Sequence, residues 1–252
     1  MAEERIWTAG LLIIGDEILS GRTQDRNIAA VAGWLNLQGV RLAEVRVVPD
    51  EVERIAEAVN ALRDAYDYLF TTGGIGPTHD DITVDAIAAA LGVPVVVHPK
   101  ARAALEAYYA SRGGVTDARL RMARVPEGAE LIENAASGAP GIRLGNIFIL
   151  AGIPQVAAMM LEALSGALEG GEPLLSRTIG CWVAESEVAD LLAATERAHP
   201  GCQIGSYPLF RDGRAAANFV IRSTDADRLD ACADDLAERL RDAGRDVAPD
   251  GI

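Results

Sequence analysis

The sequence predicts an α/β protein with a mainly parallel sheet, followed by a small α+β module. Short apolar, β-branched runs alternate with helix-period stretches through the first two thirds of the chain, the pattern of a sheet buried on both faces. The Gly/Pro-rich stretch 168–173 (LEGGEP) interrupts that alternation. Beyond it the order becomes β-α-β-β-α, a split α+β unit. The expected domains are therefore 1–170 and 171–252.

Residues 8–14 (TAGLLII) read as a short buried strand. Over 27–38, Ile28, Val31, Trp34 and Leu35 recur at helical spacing, and Gly39 closes that helix as a C′ glycine. A second strand spans 40–48. A helix over 51–65 places Ile55, Ala58, Val59 and Leu62 on one face. The third strand, 68–72, runs straight into glycines. A helix over 81–91, an extended run over 93–97 and a helix over 100–111 follow. Residues 146–150 form the next strand, and Pro154 opens a helix to 168. In the module, 177–183 is a strand and 186–198 a helix. Residues 203–209 and 215–222 form a hairpin across Arg211-Asp212-Gly213. A final helix over 225–243 groups Leu229, Cys232, Ala233, Leu236 and Leu240.

The 252 residues carry 23 Lys+Arg against 37 Asp+Glu, a formal net charge of −14, and both parts are acidic. Nucleic-acid binding needs a dense cationic surface, so no nucleic-acid partner is expected. Docking on an anionic membrane is disfavoured for the same reason, and no apolar run approaches the ~20 residues of a membrane span. The polar start lacks a signal-peptide core, which points to the cytoplasm. Lys100 is the sole lysine among the basic residues, so lysine-dependent chemistry has one candidate. Cys181, Cys202 and Cys232 are widely spaced with no C-x-x-C pair. They suggest buried free thiols rather than a zinc site or a disulfide framework.

Ligands of open α/β sheets bind at the carboxyl ends of the strands, and three strand ends carry unusual residues. At 14–21 a strand ends in Gly15 and is followed at once by Asp16 and Glu17. These are candidate ligands for a hard divalent ion, or simply a helix cap and a solvated acid. Asp50, after Pro49, has the same two readings. The richest is 71–83, TTGGIGPTHDDIT. Thr72 precedes Gly73, Gly74 and Gly76, which allow close backbone approach and positive φ. Their amides suit an anion cradle. Pro77 and Thr78 lead to Asp80 and Asp81, placed to hold a metal bridging phosphates. The spacing is neither a Walker A loop nor G-x-G-x-x-G.

Taken together, GDEILSG at 15–21, Asn27, PDE at 49–51, GGIGPTHDD at 73–81 and SGAPG at 137–141 resemble the molybdopterin-binding (MoaB/Mog-like) domain superfamily. They resemble in particular its competence/damage-inducible protein A (CinA-like) branch and the N-terminal half of eukaryotic FAD synthase. The match covers about residues 6 to 168. The resemblance implies a three-layer α/β/α fold with Asp50 and Asp81 as the important acids. It also implies a small nucleotide or pterin ligand, a divalent metal (Mg²⁺, Mn²⁺ or Co²⁺) and a homo-oligomer, dimer or trimer. The CinA-like branch is associated with metal-dependent cleavage of nucleotide pyrophosphates such as ADP-ribose, and the FAD synthase relative with FAD hydrolysis. Molybdopterin adenylyl transfer and binding without turnover are the alternatives. The family usually has Leu-Pro-Gly-x-Pro near the last strand, where this chain has Leu150-Ala151-Gly152-Ile153-Pro154. Longer members continue into a nicotinamide-nucleotide deamidase domain; this sequence ends at Ile252, so that activity is expected to be absent. The small module resembles their intermediate domain and suggests packing or oligomer contact.

Among the remaining candidates, His79 lies inside the glycine loop, placed for a phosphate contact or for solvent. His98 and His199 each precede a proline and read as structural. Ser137, Gly138, Pro140 and Gly141 offer a second backbone cradle, or an ordinary turn. No G-x-S-x-G elbow supports a serine hydrolase, and the cysteines all lie in the module, away from the glycine loop.

Overall fold

The computed structural model describes residues 5–134 and 137–252; the first four residues, read above as part of a polar start, lie outside these. The chain divides into two compact units, Met1–Gly171 and Glu172–Ile252.

In the first unit the elements run β1 (Trp7–Ile14), α1 (Asp16–Leu19), α2 (Asn27–Leu37), β2 (Val40–Val48), α3 (Val52–Ala65), β3 (Tyr68–Thr72) and α4 (Thr83–Leu91). They continue with β4 (Val95–Val97), α5 (Pro99–Tyr109), α6 (Asp117–Leu120), β5 (Arg124–Pro126), β6 (Glu130–Ile132), β7 (Gly141–Leu144), β8 (Ile147–Leu150) and α7 (Pro154–Glu162). Six strands form one sheet in the order β2-β1-β3-β8-β7-β6. The β2-β1-β3-β8 ladders are parallel, whereas β7 pairs antiparallel with β8 and β6. The sheet is thus mixed, with a parallel core, and β4 and β5 form a separate antiparallel pair.

Strand alternation sorts side chains to two faces. Leu12 and Ile14 join Leu69, Ile147 and Ile149 against Ile55, Val59 and Leu62 of α3 and Ile87 of α4. Leu11 and Ile13 join Phe70, Phe148 and Leu150 against Val31 and Leu35 of α2 and Ala157 and Met160 of α7. The three-layer α/β/α arrangement follows. Phe70 and Phe148, both fully buried, stack at 4.8 Å; a side chain of this kind contributes about 1.5–3 kcal/mol on burial. Gly39 ends α2 at φ 69°, as its sequence position requires.

In the second unit β9 (Leu175–Cys181), α8 (Ala189–Ala198), β10 (Gln203–Arg211), β11 (Arg214–Ser223), α9 (Ala226–Asp242) and β12 (Val247–Ala248) build an antiparallel sheet ordered β10-β11-β9-β12. The helix expected over 186–198 begins only at Ala189, after a 3-10 turn at Glu185–Glu187. The two-residue turn places Asp212 at φ 52° and Gly213 at φ 72°, positive at both central positions as a type I′ hairpin demands. Phe219, Ile221, Leu229, Leu236 and Leu240 form its core, together with Cys181, Cys202 and Cys232, which are free and buried.

The helix from Pro154 stops at Glu162, six residues short of the expected end. Residues 112–146, in which the sequence suggested nothing regular before 146, hold α6 and three short strands, β5 to β7.

Candidate functional site

Parallel register brings four strand ends side by side. Ile14 pairs with Val48, Ile13 with Thr72, and Thr72 with Leu150. The segments that leave these strands therefore share one edge: Gly15-Asp16-Glu17, Pro49-Asp50, Gly73-Gly74 and Ala151-Gly152.

Asp50 does not cap its own helix. The N-terminal flank of α3 is Glu51, with no side-chain cap. Instead, Asp16 donates its backbone N–H to Asp50 Oδ2 at 3.0 Å, so Asp50 caps α1 across the β1–β2 boundary. Burial pushes the Asp50 carboxyl above its ordinary range. The charges of Asp16, Glu17 and Asp80 push the same way, against the lowering effect of the Asp16 N–H. Asp16, Glu17 and Asp80 themselves are exposed. Among the described residues no three His, Cys, Asp or Glu side chains are grouped to hold a metal ion.

The glycine loop is built by close approach. Gly73 sits at φ 105° and Gly74 at φ 65°. A Cβ on Gly73 would lie 2.1 Å from the Ile14 carbonyl oxygen, and one on Gly74 2.2 Å from Thr83 Oγ1. Thr83, fully buried, donates its hydroxyl to the Gly73 carbonyl at 2.8 Å, and its N–H to the Gly74 carbonyl at 3.1 Å. Gly152 packs so closely that a Cβ would be 3.2 Å from Gly73 Cα.

Asp81 stands inside this loop. Gly76 donates its N–H to Asp81 Oδ1 at 2.6 Å, while Thr78 donates its N–H and its hydroxyl to Asp81 Oδ2 at 2.7 and 2.6 Å. Both oxygens, expected to serve a metal or the reaction, are engaged in shaping the loop. The expected amide cradle differs accordingly. Gly73 N–H donates to the Leu150 carbonyl and Gly76 N–H to Asp81, and Pro77 has no N–H to give. The anion in the cradle is the protein's own carboxylate. His79 is exposed.

Beside Gly73 lies a cavity of about 60 Å³ lined by Glu17, Asp25, Asn27, Thr72, Gly73 and Gly152, among others. Asn27 is 4% exposed and donates Nδ2 to the Gly152 carbonyl at 2.9 Å; its Oδ1 is buried without a hydrogen-bond partner. Thr72, 1% exposed, has a hydroxyl in the same state. Buried polar groups are nearly always paired, so two orphans on one small cavity leave a place for a polar partner, a water or a group of a ligand.

The second proposed cradle divides. Pro140 lines a cavity with Gly74, Gly76 and Asp81 and so reaches the site. Ser137 Oγ accepts from Asn134 Nδ2 at 2.7 Å, and Asn134 also donates to the Ala139 carbonyl. Gly138 sits at φ 70° against Tyr108, and a Cβ on Gly141 would lie 3.1 Å from the Ile149 carbonyl oxygen. Turn geometry and packing account for these three. Pro140 and Gly138 also border a separate cavity of about 650 Å³ that contains His98, Lys100, Glu130 and Glu133.

Three residues escaped the sequence reading. Thr83 and Gly152 stood at the ends of motifs already noticed. Arg121 did not: it comes from the 3-10 turn Arg121–Ala123, forty residues from the loop, and lines the cavity of Gly74, Gly76 and Asp81 together with Arg124.

Residues 10–170 match the family described as probable molybdopterin binding domain, and residues 173–246 match the FAD synthase middle domain. A protein of Aeropyrum pernix is 36% identical over 79% of this chain and 78% of its own length. A CinA-like protein of Desulfosudis oleivorans is 34% identical over 78% of this chain, and a probable FAD synthase of Caenorhabditis elegans 29% identical over 92%. The matches cover 51% and 50% of those two proteins, so the chain spans about half their length. A crystal structure of the protein CinA, of unknown function, from Thermoplasma acidophilum superposes with a TM-score of 0.59 at 32% identity, covering 64% of this chain and 98% of that one. Among the described residues no helix is long and apolar enough to cross a membrane.

Proposed function

The chain belongs to the probable molybdopterin binding domain family, and from that premise we propose that its strand-end site hydrolyses a nucleotide pyrophosphate, ADP-ribose or FAD-like, with a divalent metal. The observation that carries this reading is Asp50, a half-buried carboxyl held above its ordinary range with three further acids within electrostatic reach. A carboxylate of raised pKa is a better base toward water than an ordinary aspartate.

The donor chemistry fits a hard ion, although among the described residues no three acids converge on one point. Asp16, Glu17 and Asp80 offer oxygen only, and Mg²⁺-like ions keep several waters while taking one or two carboxylates and the substrate's phosphates. Asp16 and Asp80 would hold the ion, with Glu17 beside them. When bound, the ion supplies charge neutralisation on the diphosphate oxygens. Asp50 takes a proton from the attacking water as the new P–O bond forms and the bridging P–O bond breaks. The products are AMP and the second phosphate monoester. The Thr72 hydroxyl donates to the ligand and Asn27 Oδ1 accepts from it, which satisfies both orphans. Asp81 holds the loop rather than the reacting atoms.

The test is incubation of the chain with ADP-ribose or FAD and Mg²⁺, Mn²⁺ or Co²⁺, with chromatography for AMP. AMP should appear with at least one metal and vanish with a chelator. If ADP-ribose raises the melting temperature yet no metal yields AMP, the site is a binding module. A second reading, adenylyl transfer to molybdopterin, is favoured by the family match itself; molybdopterin adenylylated from ATP would establish it instead.

A further inference from the structure

We propose that Arg121 binds the diphosphate of the ligand, a part that the committed amides of Gly73, Gly76 and Thr78 do not play; this rests on the strand-end site being a nucleotide-diphosphate site. Three of the loop's donors are spent internally, since Gly76 and Thr78 N–H donate to Asp81 and Gly73 N–H to Leu150. A diphosphate arriving at this edge meets Asp16, Glu17, Asp50, Asp80 and Asp81, all acidic, so a cation of the chain would add to the neutralisation that a divalent ion supplies. Two arginines line the cavity beside the loop. Arg124 is committed: its guanidinium forms a two-pronged pair with Asp85. Arg121 is not. Among the described residues no carboxylate lies within ion-pair distance of it, and its Nε is buried without a hydrogen-bond partner. Its one recorded bond, Nη2 to the Asp81 carbonyl at 3.5 Å, lies at the limit of hydrogen-bond length.

The space enclosed between loop and arginine is about 10 Å³, room for roughly one water. The guanidinium therefore meets the anion by leaving the Asp81 carbonyl and swinging to the mouth of the loop, which breaks only that long bond. A guanidinium offers phosphate two parallel donors where an ammonium offers a point charge. The chain's sole lysine, Lys100, lines the separate 650 Å³ cavity.

The experiment is calorimetric titration of adenosine, AMP and ADP into the whole chain, with Mg²⁺ present, for the native protein, Arg121→Gln and Arg121→Lys. Arg121→Gln should weaken ADP binding by about tenfold to a hundredfold, the loss expected of a charged hydrogen bond, and leave adenosine within about twofold. Arg121→Lys should recover part of the loss. The assignment is overturned if Arg121→Gln binds ADP as the native chain does. It is equally overturned if adenosine and ADP weaken together, or if the native chain prefers ADP no more than adenosine. Hydrolysis is read separately: an Arg121-dependent preference for ADP without AMP release from ADP-ribose keeps this assignment and removes the hydrolase reading.

Discussion

Asp50 and Asp16 are joined across two strand ends, the backbone N–H of Asp16 donating to the Asp50 carboxylate at 3.0 Å. This bond helps to keep the Asp50 carboxylate at the edge of the site, while burial and neighbouring acids work against its charge.

The substitution Asp50→Asn should therefore stabilise the fold at neutral pH. The folded-state pKa is raised above the unfolded value, so the protonated form is favoured on folding. The stabilising contribution is full below the ordinary aspartate pKa of about 3.9 and is lost as pH rises through the raised value. The amide of the Asp50→Asn variant keeps an oxygen for the Asp16 N–H and has no charge to desolvate. Its melting temperature should exceed that of the native chain at pH 7 and converge with it near pH 3. Turnover should fall in the same variant, and a native rate would remove Asp50 from the chemistry.

Asp81 organises the loop through three donors. Asp81→Ala leaves all three without that acceptor and should cost about 1–3 kcal/mol, read by denaturant titration. Ligand-induced thermal stabilisation should vanish with it. Asp81→Asn keeps acceptor capacity on one oxygen and should lie between the two.

Gly73→Ala should be among the most damaging single changes at this edge. The added carbon would lie 2.1 Å from the Ile14 carbonyl oxygen, at a φ of 105° that alanine avoids. A loss of at least about 2 kcal/mol is expected. Thr83→Val keeps the shape but deprives the Gly73 carbonyl of its donor, for about 1–2 kcal/mol. Melting of both variants beside the native chain checks the order.

Metal dependence should carry a pH signature. Protons compete with the ion for neighbouring carboxylates, so the Mg²⁺ or Mn²⁺ concentration giving half-maximal AMP release should rise as pH falls toward the carboxylate range. A requirement that stays constant down to about pH 4, where ordinary aspartates begin to protonate, would remove Asp16 and Asp80 from metal binding.

The parallel core was legible in the sequence because its strands are short apolar runs closed by glycine or proline, as at Gly15, Pro49 and Gly73. The acids at the strand ends were legible for the same reason, since a strand that stops at a glycine shows where its neighbours emerge. The role of Asp81 was not. A carboxylate after a glycine loop looks the same whether it faces a metal or folds back onto Gly76 and Thr78. Arg121 was invisible for a different reason: it lies on a 3-10 turn in a stretch without periodicity, and only tertiary folding brings it to the loop. The strands β5 to β7 span three or four residues each, too short for an alternation to register.

Because the glycine loop closes around a carboxylate that belongs to the chain, its shape does not wait for a ligand. The conformational entropy of ordering Gly73 to Thr78 is met during folding and not at the moment of binding. On the reading proposed above, an incoming nucleotide meets a surface already set, with the Arg121 side chain left to arrange.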